Sequence, residues 1–435
     1  MSHSRRPLRT FVAGQGVNAL GSMVSTLALP LVAVDRLHAT TLAVGALEAV
    51  EWLPAVLIGL PVGALVDRHQ ARARSIMMAA NLGQALAVAA VPAAAAIGAL
   101  SVGVLLAAAA TAGLFTVWFQ AGYSPYLRAI IDGDDYLTAT SQTRGVKSVA
   151  RLIGPTLAGA LVEAVGAATT VLADAASFLI SLVSLAVLPA ASPAPHPEPA
   201  TSLTAQMRQG LAHLWTDRLL RTLAWATASI NLFLTAMGAI EIVFLVRDVH
   251  APADWIGILI ALAGLGGVIG SVFANRLSRR FGLERLARTA VIATAPAALL
   301  MPLTSHGPGM VFFALAGPPT SLGIAIVSIS ISTLRLQHCP EHLLARVTTT
   351  SRTLTAATIP VGALLGGALG QLLGTRTALL LLAAGYVTFG LLLLATPSLQ
   401  ELPNTHERVQ AASQTTSAQN AATPPTQHGN AGGRA

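Results

Sequence analysis

The chain has 435 residues, 54% of them hydrophobic and only 10% charged, with a mean hydropathy of +0.66. Soluble domains carry roughly 25% charged residues, so water is excluded as the solvent for most of this surface. A formal charge of +8 would suit a nucleic-acid partner, but the basic residues fall in short clusters between apolar runs. Nucleic acid is therefore discounted as a partner, and the clusters read as determinants of topology.

Apolar stretches of about 20 residues cross the hydrocarbon core, and they must do so as helices because lipid offers backbone groups no partner. The first such run follows Arg5, Arg6 and Arg9, carries Gln15 and Asn18, and continues to about Val34. A signal core has only about 7 to 15 apolar residues, so this run reads as a retained first span with nothing cleaved. Hydropathy places further spans near 40–66, 75–98, 101–123, 146–165 and 167–188, the first lying near 9–34. After a polar, proline-rich stretch the count repeats, with spans near 220–246, 255–275, 288–305, 309–333, 346–370 and 375–396. Residues 1–188 thus form an N-terminal six-helix bundle, 189–219 a cytoplasmic linker and 220–397 a C-terminal six-helix bundle. The linker is expected to hold a short amphipathic helix around Leu203 to Trp215. The tail 398–435 lacks apolar periodicity and is expected to be disordered. The fold class predicted is an all-α membrane protein of twelve transmembrane helices in two parallel six-helix halves.

All but Arg36, Arg247 and Arg376 of the 26 Lys and Arg residues fall on one side of these spans. Basic loops stay in the cytoplasm, so the chain is expected to be a multi-pass protein of the inner or plasma membrane with both termini cytoplasmic. The halves also match in detail. Gly63 precedes the basic loop Asp67, Arg68, Arg72, Arg74 as Gly270 precedes Asn275, Arg276, Arg279, Arg280; Arg128 answers Arg335, and Pro155 answers Pro360. The pairs lie about 205 to 207 positions apart, as parallel repeats about the membrane normal require. Even the outer charges recur, as Asp35-Arg36 and Arg247-Asp248. A central site between two rocking bundles follows from that symmetry.

The segment from Gly63 through Asp67 and Arg68 to Arg72 and Arg74, with Ala71 and Ala73 interrupting its basic residues, resembles the loop motif of the major facilitator superfamily. The resemblance covers about residues 8–397 and implies the major facilitator fold. It also implies a gating network at this loop: Asp67 would accept from a helix N-terminus or an arginine of the other half and latch the cytoplasmic side, with Arg68 and Arg128 as gating partners. A solvated basic loop enforcing topology is the plainer reading, and it accounts for Arg72 and Arg74. Gly145, then Gly154, Pro155 and Gly159 in the fifth span, resemble the glycine-proline signature of drug and proton antiporters, with Ala158 where glycine is usual. Small residues and a proline suit a helix that bends against a neighbour, or one that simply packs closely. Phe119 to Leu127 and Asp174 to Phe178 further resemble the macrolide-efflux and siderophore-exporter branch, which points to export.

A carboxylate at the bilayer centre costs on the order of 2.5 to 3.5 kcal/mol, so intramembrane acids face a cavity or a partner. Glu48 and Glu51 share one face of the second span, and two acids so close resist ionising together. One of them is expected to hold a proton at neutral pH, as a proton-coupled carrier needs. Asp174 and Glu241 join them as proton-coupling or substrate candidates, while Glu163 reads as interfacial and Arg151 as near the cytoplasmic end of its span. Gln15, Asn18, Gln120 and Asn231 are candidate substrate contacts, each equally readable as helix-to-helix glue. Lys147 is the single lysine and follows Val146, so the glycine-lysine pair of an ATP-binding loop is missing. His338, Cys339 and His342 have metal spacing but are split by Pro340, and no metal is expected. No enzyme activity and no cofactor are expected, the proton gradient serving as energy source. The expected protein is a monomeric secondary transporter, a proton-coupled exporter of a small amphiphilic compound such as a drug, an antibiotic or a siderophore-like metabolite by alternating access. Its partners are that small molecule, protons and the lipid bilayer. An importer, or a receptor of the same fold without turnover, remains the alternative.

Overall fold

A computed structural model of the chain describes residues 5–130, 133–189 and 203–394, and within them twelve helices are long and apolar enough to cross a membrane. The first half comprises α1 (Arg5–Leu31, continued by a π-helical turn over Val32–Arg36), α2 (Thr41–Arg68), α3 (Ala73–Ala96), α4 (Val102–Ile130), α5 (Gly133–Val165) and α6 (Ala167–Val187). A fourteen-residue helix, α7 (Leu203–Thr216), leads into the second half. That half comprises α8 (Arg218–Arg247), α9 (Ala253–Phe281), α10 (Leu283–Thr294), α11 (Val311–His338), α12 (Glu341–Leu373) and α13 (Thr375–Leu394). The 190–202 part of the linker and the tail 398–435 lie outside the described residues.

Local chemistry sets several boundaries. Thr40 accepts from the Ala43 amide at 3.2 Å to start α2, and Asp217 accepts from the Leu220 amide at 2.9 Å to start α8. Gly166 and Gly374 take φ of +82° and +81° where α5 gives way to α6 and α12 to α13, a conformation that excludes most side chains. Helices α5 and α12 begin well before the positions near 146 and 346 that hydropathy predicts. A helix does not stop where the hydrocarbon does, and polar residues such as Arg144 and Arg346 ride on its extension. The ninth span, expected as one helix near 288–305, changes at Ala295 into a 3-10 helix running to Leu303. Pro296 and Pro302 lack amide donors there, which removes α-helical bonds.

With an even number of crossings, the start of α1, helix α7 and the end of α13 share one face with Arg68, Arg72, Arg279 and Arg280, here termed the basic face. The opposite, loop face carries Arg36, Arg247 and Arg376. The repeat is visible in the backbone. His38 and His250 hold equivalent places after α1 and α8 with φ of +47° and +56°. Beside them the Ala39 amide bonds the Ala33 carbonyl at 2.8 Å, and the Ala251 amide bonds the Leu245 carbonyl at 2.9 Å.

The core is not divided evenly. One apolar cluster draws on both halves toward the loop face, including Leu27, Leu31, Val34 and Leu47 with Ile240, Phe244, Val249 and Ile256. Toward the basic face the clusters separate: Phe11, Met77, Phe119, Tyr126 and Leu185 belong to the first half alone. Leu214, Leu220, Cys339 and Val347 join only α7 to the second.

Candidate functional site

Two helix pairs, α2 with α12 and α5 with α9, carry the main contacts between the halves. Their close approach depends on glycine. A Cβ on Gly45 would strike the Ala363 carbonyl and lie 3.1 Å from the Gly367 Cα, while one on Gly367 would lie 3.0 Å from the Leu42 Cα. On the other pair, a Cβ on Gly159 would lie 3.0 Å from the Asp254 Cα, and one on Gly257 would meet the backbone of Pro155 and Gly159. All of these sit toward the loop face. Nearer the basic face, Gly59 and Gly63 of α2 and Gly145 of α5 have open space where a Cβ would stand. The halves are thus pressed together on the loop face and parted on the basic face.

The seal is also polar. Arg247 of α8 donates to the Ala39 carbonyl at 2.6 Å, a bond between the halves, and its charge also bears on Asp35. Around it Asp248 pairs with the Thr375 hydroxyl, and Arg376 donates to the Thr304 carbonyl at 2.9 Å while lying over the Phe244 ring.

Glu48 and Glu51 lie beneath this seal, about 10 and 15 Å along α2 from its loop-face end at 1.5 Å per residue. Glu48 stands one turn from Gly45, and between the two acids Ala49 packs against Ala239 and Ala363 of the other half. Glu51 has an exposed side chain despite its depth, so it lines the parted cleft. Its charge feels Asp174 of α6 as well as acting on Glu48, and the three carboxylates form one cluster. Asp174 itself is only 3% exposed. Ser177 donates to its Oδ1 at 3.2 Å and Ser22 of α1 at 3.5 Å, while Ser25 faces the carboxylate without completing a hydrogen bond. Sequence separation hides these serines, although Ser22 and Ser25 share a helical face, as do Asp174, Ser177 and Ser181. The fourth acid, Glu241, stands apart on α8, half-buried, with no charged side chain bearing on it among the described residues. Glu163 is exposed at the loop-face end of α5.

The neutral polar residues divide. Gln15 donates to Ser181 at 3.4 Å, and Asn81 donates to the same hydroxyl at 3.0 Å, tying α1 and α3 to α6. Asn231 spends its amide on the Thr355 carbonyl and the Thr358 hydroxyl at 3.2 and 2.8 Å, tying α8 to α12. Both act as helix glue. Asn18 keeps a buried Oδ1 without a partner, and Gln120 is exposed, so these two retain the capacity to meet a ligand.

At the basic face Asp67 and Arg68 are exposed, and Arg128 is the cation whose charge bears on Asp67. Arg128 also lies 5.9 Å over the Tyr136 ring. Asp67 forms no ion pair among the described residues. Arg74 has a firmer role than a solvated loop residue, donating to the carbonyls of Leu185 and Ala186 at the end of α6. Of the glycine-proline segment, Gly154 lets α5 approach Met23 of α1, while Pro155 and Gly159 meet α9 across the halves. Gly362, Gly366 and Gly370 pack chiefly against α8, and Gly266 and Gly270 against α11.

Among the described residues no group of three metal-ligating side chains occurs. His338 bonds Asp217 at 2.9 Å beside buried Cys339. Burial pushes against ionisation of Asp217, but the Leu220 amide and His338 outweigh it and hold the carboxyl below its ordinary range. Burial and the Asp217 charge push the Cys339 thiol up, so it is no ready thiolate.

A family model described as "Major Facilitator Superfamily" matches residues 11–357 and, in a second match, residues 237–426. The multidrug efflux pump Tap of Mycobacterium tuberculosis is 28% identical over 263 residues, covering 59% of this chain and 61% of that relative. The chain thus spans about three fifths of the length of the first curated relatives it matches. Multidrug efflux pump Tap of Mycolicibacterium fortuitum is 27% identical over 363 residues, 80% of this chain and 86% of the relative. The crystal structure of the nucleoside transporter NupG superposes with a TM-score of 0.73 at 12% identity, covering 92% of this chain and all of that one.

Proposed function

The chain belongs to the Major Facilitator Superfamily, and from that membership we propose that it is a proton-coupled exporter of a small amphiphilic compound, such as a drug, an antibiotic or a siderophore-like metabolite. The fold and the relatives are those of transporters rather than enzymes. The observation that carries the proposal is the gathering of Glu48, Glu51 and Asp174 at the apex of a cleft sealed on the loop face and parted on the basic face.

With the basic face in the cytoplasm, as the arginine bias favours, the cleft opens inward, where an exporter loads. Cargo entering from the cytoplasm meets the acids, and a cationic group beside them favours their ionised forms, so loading releases protons inward. The halves then rock about α2, α5, α9 and α12: the Gly45 and Gly159 contacts part, and Asp67 and its neighbours close the basic face. Cargo leaves to the outside, and protons from outside neutralise the acids for the return. Two facing six-helix halves complete this cycle within one chain, so a monomer suffices, and the residues supply every step without a cofactor. The relatives named as multidrug efflux pumps support the outward direction.

Everted membrane vesicles test it. An imposed gradient, acid in the lumen, is expected to drive uphill accumulation of candidate amphiphiles, and collapsing the gradient to release them. Depletion of the lumen under the same gradient would make the protein an importer, and saturable binding without flux would make it a receptor.

A further inference from the structure

The cleft has a second charged surface, of opposite sign to the acids. Arg144, Lys147, Arg151 and Pro155 recur at i, i+3, i+7 and i+11 along α5 and so share one helical stripe. Pro155 meets Gly257 of the other half, and α9 still runs beside Arg151, whose carbonyl would lie 3.8 Å from a Cβ on Gly264; further toward the basic face Gly145 has open space, so the stripe leads from the α5–α9 contact into the parted cleft. Arg144 and Arg151 are exposed, and Lys147 is half-buried with its ammonium 5.3 Å over the Tyr123 ring of α4. Arg352 holds the place on α12 equivalent to Arg144, and it too is exposed. Among the described residues none of these four cations is in an ion pair. Like charges one turn apart repel, so the arrangement calls for an anion.

Counted from the loop-face end of α5, Arg151 and Lys147 lie about 21 and 27 Å deep, against about 15 Å for Glu51 on α2. The basic stripe is therefore about 6 to 12 Å nearer the cytoplasmic mouth than the acid. We infer that the cargo is a zwitterion, lodging its cationic group against Glu48 and Glu51 at the apex and its anionic group on Lys147 and Arg151 beside Tyr123. A molecule of one sign alone leaves one of the two surfaces unmatched. This assignment rests on the transport reading of the same cleft.

Binding to the purified full-length chain in nanodiscs tests it with a matched pair: ciprofloxacin, which carries an ammonium and a carboxylate, and its methyl ester, which carries the ammonium alone. The intact protein is expected to prefer the zwitterion about ten-fold, the scale of one charge-assisted contact. Lys147→Gln should erase that preference while leaving ester affinity within about two-fold, and Lys147→Arg should retain it. An intact protein without the preference, or a Lys147→Gln protein that keeps it, overturns the assignment. Should Lys147→Gln lose ester binding as well, Arg151→Gln decides by the same comparison. The preference without gradient-driven flux would uphold the ligand class and overturn export; flux of both compounds without preference would do the reverse.

Discussion

Replacing Gly45 by valine should force the loop face open. The added Cβ meets the Ala363 carbonyl, with the Ala363 carbonyl carbon at 3.3 Å and the Gly367 Cα at 3.1 Å. These are backbone atoms of a packed helix and cannot rotate away. Overpacking of this kind costs about 1–3 kcal/mol. Because only the closed loop face brings α2 this near α12, the cost falls on the state open at the basic face alone, and it corresponds to a shift of about 5- to 150-fold toward molecules open at the loop face. Spin labels on Ser101 and Ser305, exposed positions in the loop-face turns of opposite halves, report the change by electron-electron resonance after Cys339→Ser removes the native thiol. The distance distribution should move to longer values in Gly45→Val and stay put in Gly59→Val, whose Cβ has open space. A folded Gly45→Val protein with the intact distribution would refute the glycine-dependent seal.

Arg247→Gln removes the 2.6 Å bond to the Ala39 carbonyl and should lengthen the same label pair's distances in the same direction; an unchanged distribution would deny the bond a sealing role. Asn231→Ala, losing both bonds to α12, should lower thermal stability by about 0.6 to 1.7 kcal/mol, with ligand affinity unchanged; weakened affinity at full stability would make Asn231 a ligand contact. Asp217, held below its ordinary range, stabilises the α7–α8 junction at neutral pH, and that contribution is lost as pH falls through its folded value. The stability difference between the intact chain and Asp217→Asn should therefore shrink below about pH 4, as melting curves would report, and a gap constant with pH would contradict it.

Hydropathy made the twelve crossings legible because their apolar composition is local, and the repeat was legible in pairs such as Arg128 with Arg335. What hydropathy could not register is the polar extension of α5. It begins at Gly133, so Arg144, Lys147 and Arg151 stand on one continuous helix, and the basic stripe below Pro155 is hidden. The proximity of Glu48 and Glu51 follows from helical spacing, but their meeting with Asp174 depends on how α1 and α6 pack, which Gly21 permits by admitting Ser177 and Asp174. Gln15 and Asn231 show the converse limit: a polar residue inside a span reads alike as ligand contact or glue until its partner is seen. Which face of the cleft is closed depends on contacts such as Gly45 with Gly367, more than three hundred positions apart, and no local pattern carries it.

Proton release on cargo binding tests the coupling most directly. When a transported compound is added to purified protein in weakly buffered solution with a pH indicator, the intact chain should release protons in proportion to occupied sites, and Glu48→Gln with Glu51→Gln should abolish the release. Equal release from the double variant, or none from the intact chain at saturating ligand, would contradict proton exchange at these acids.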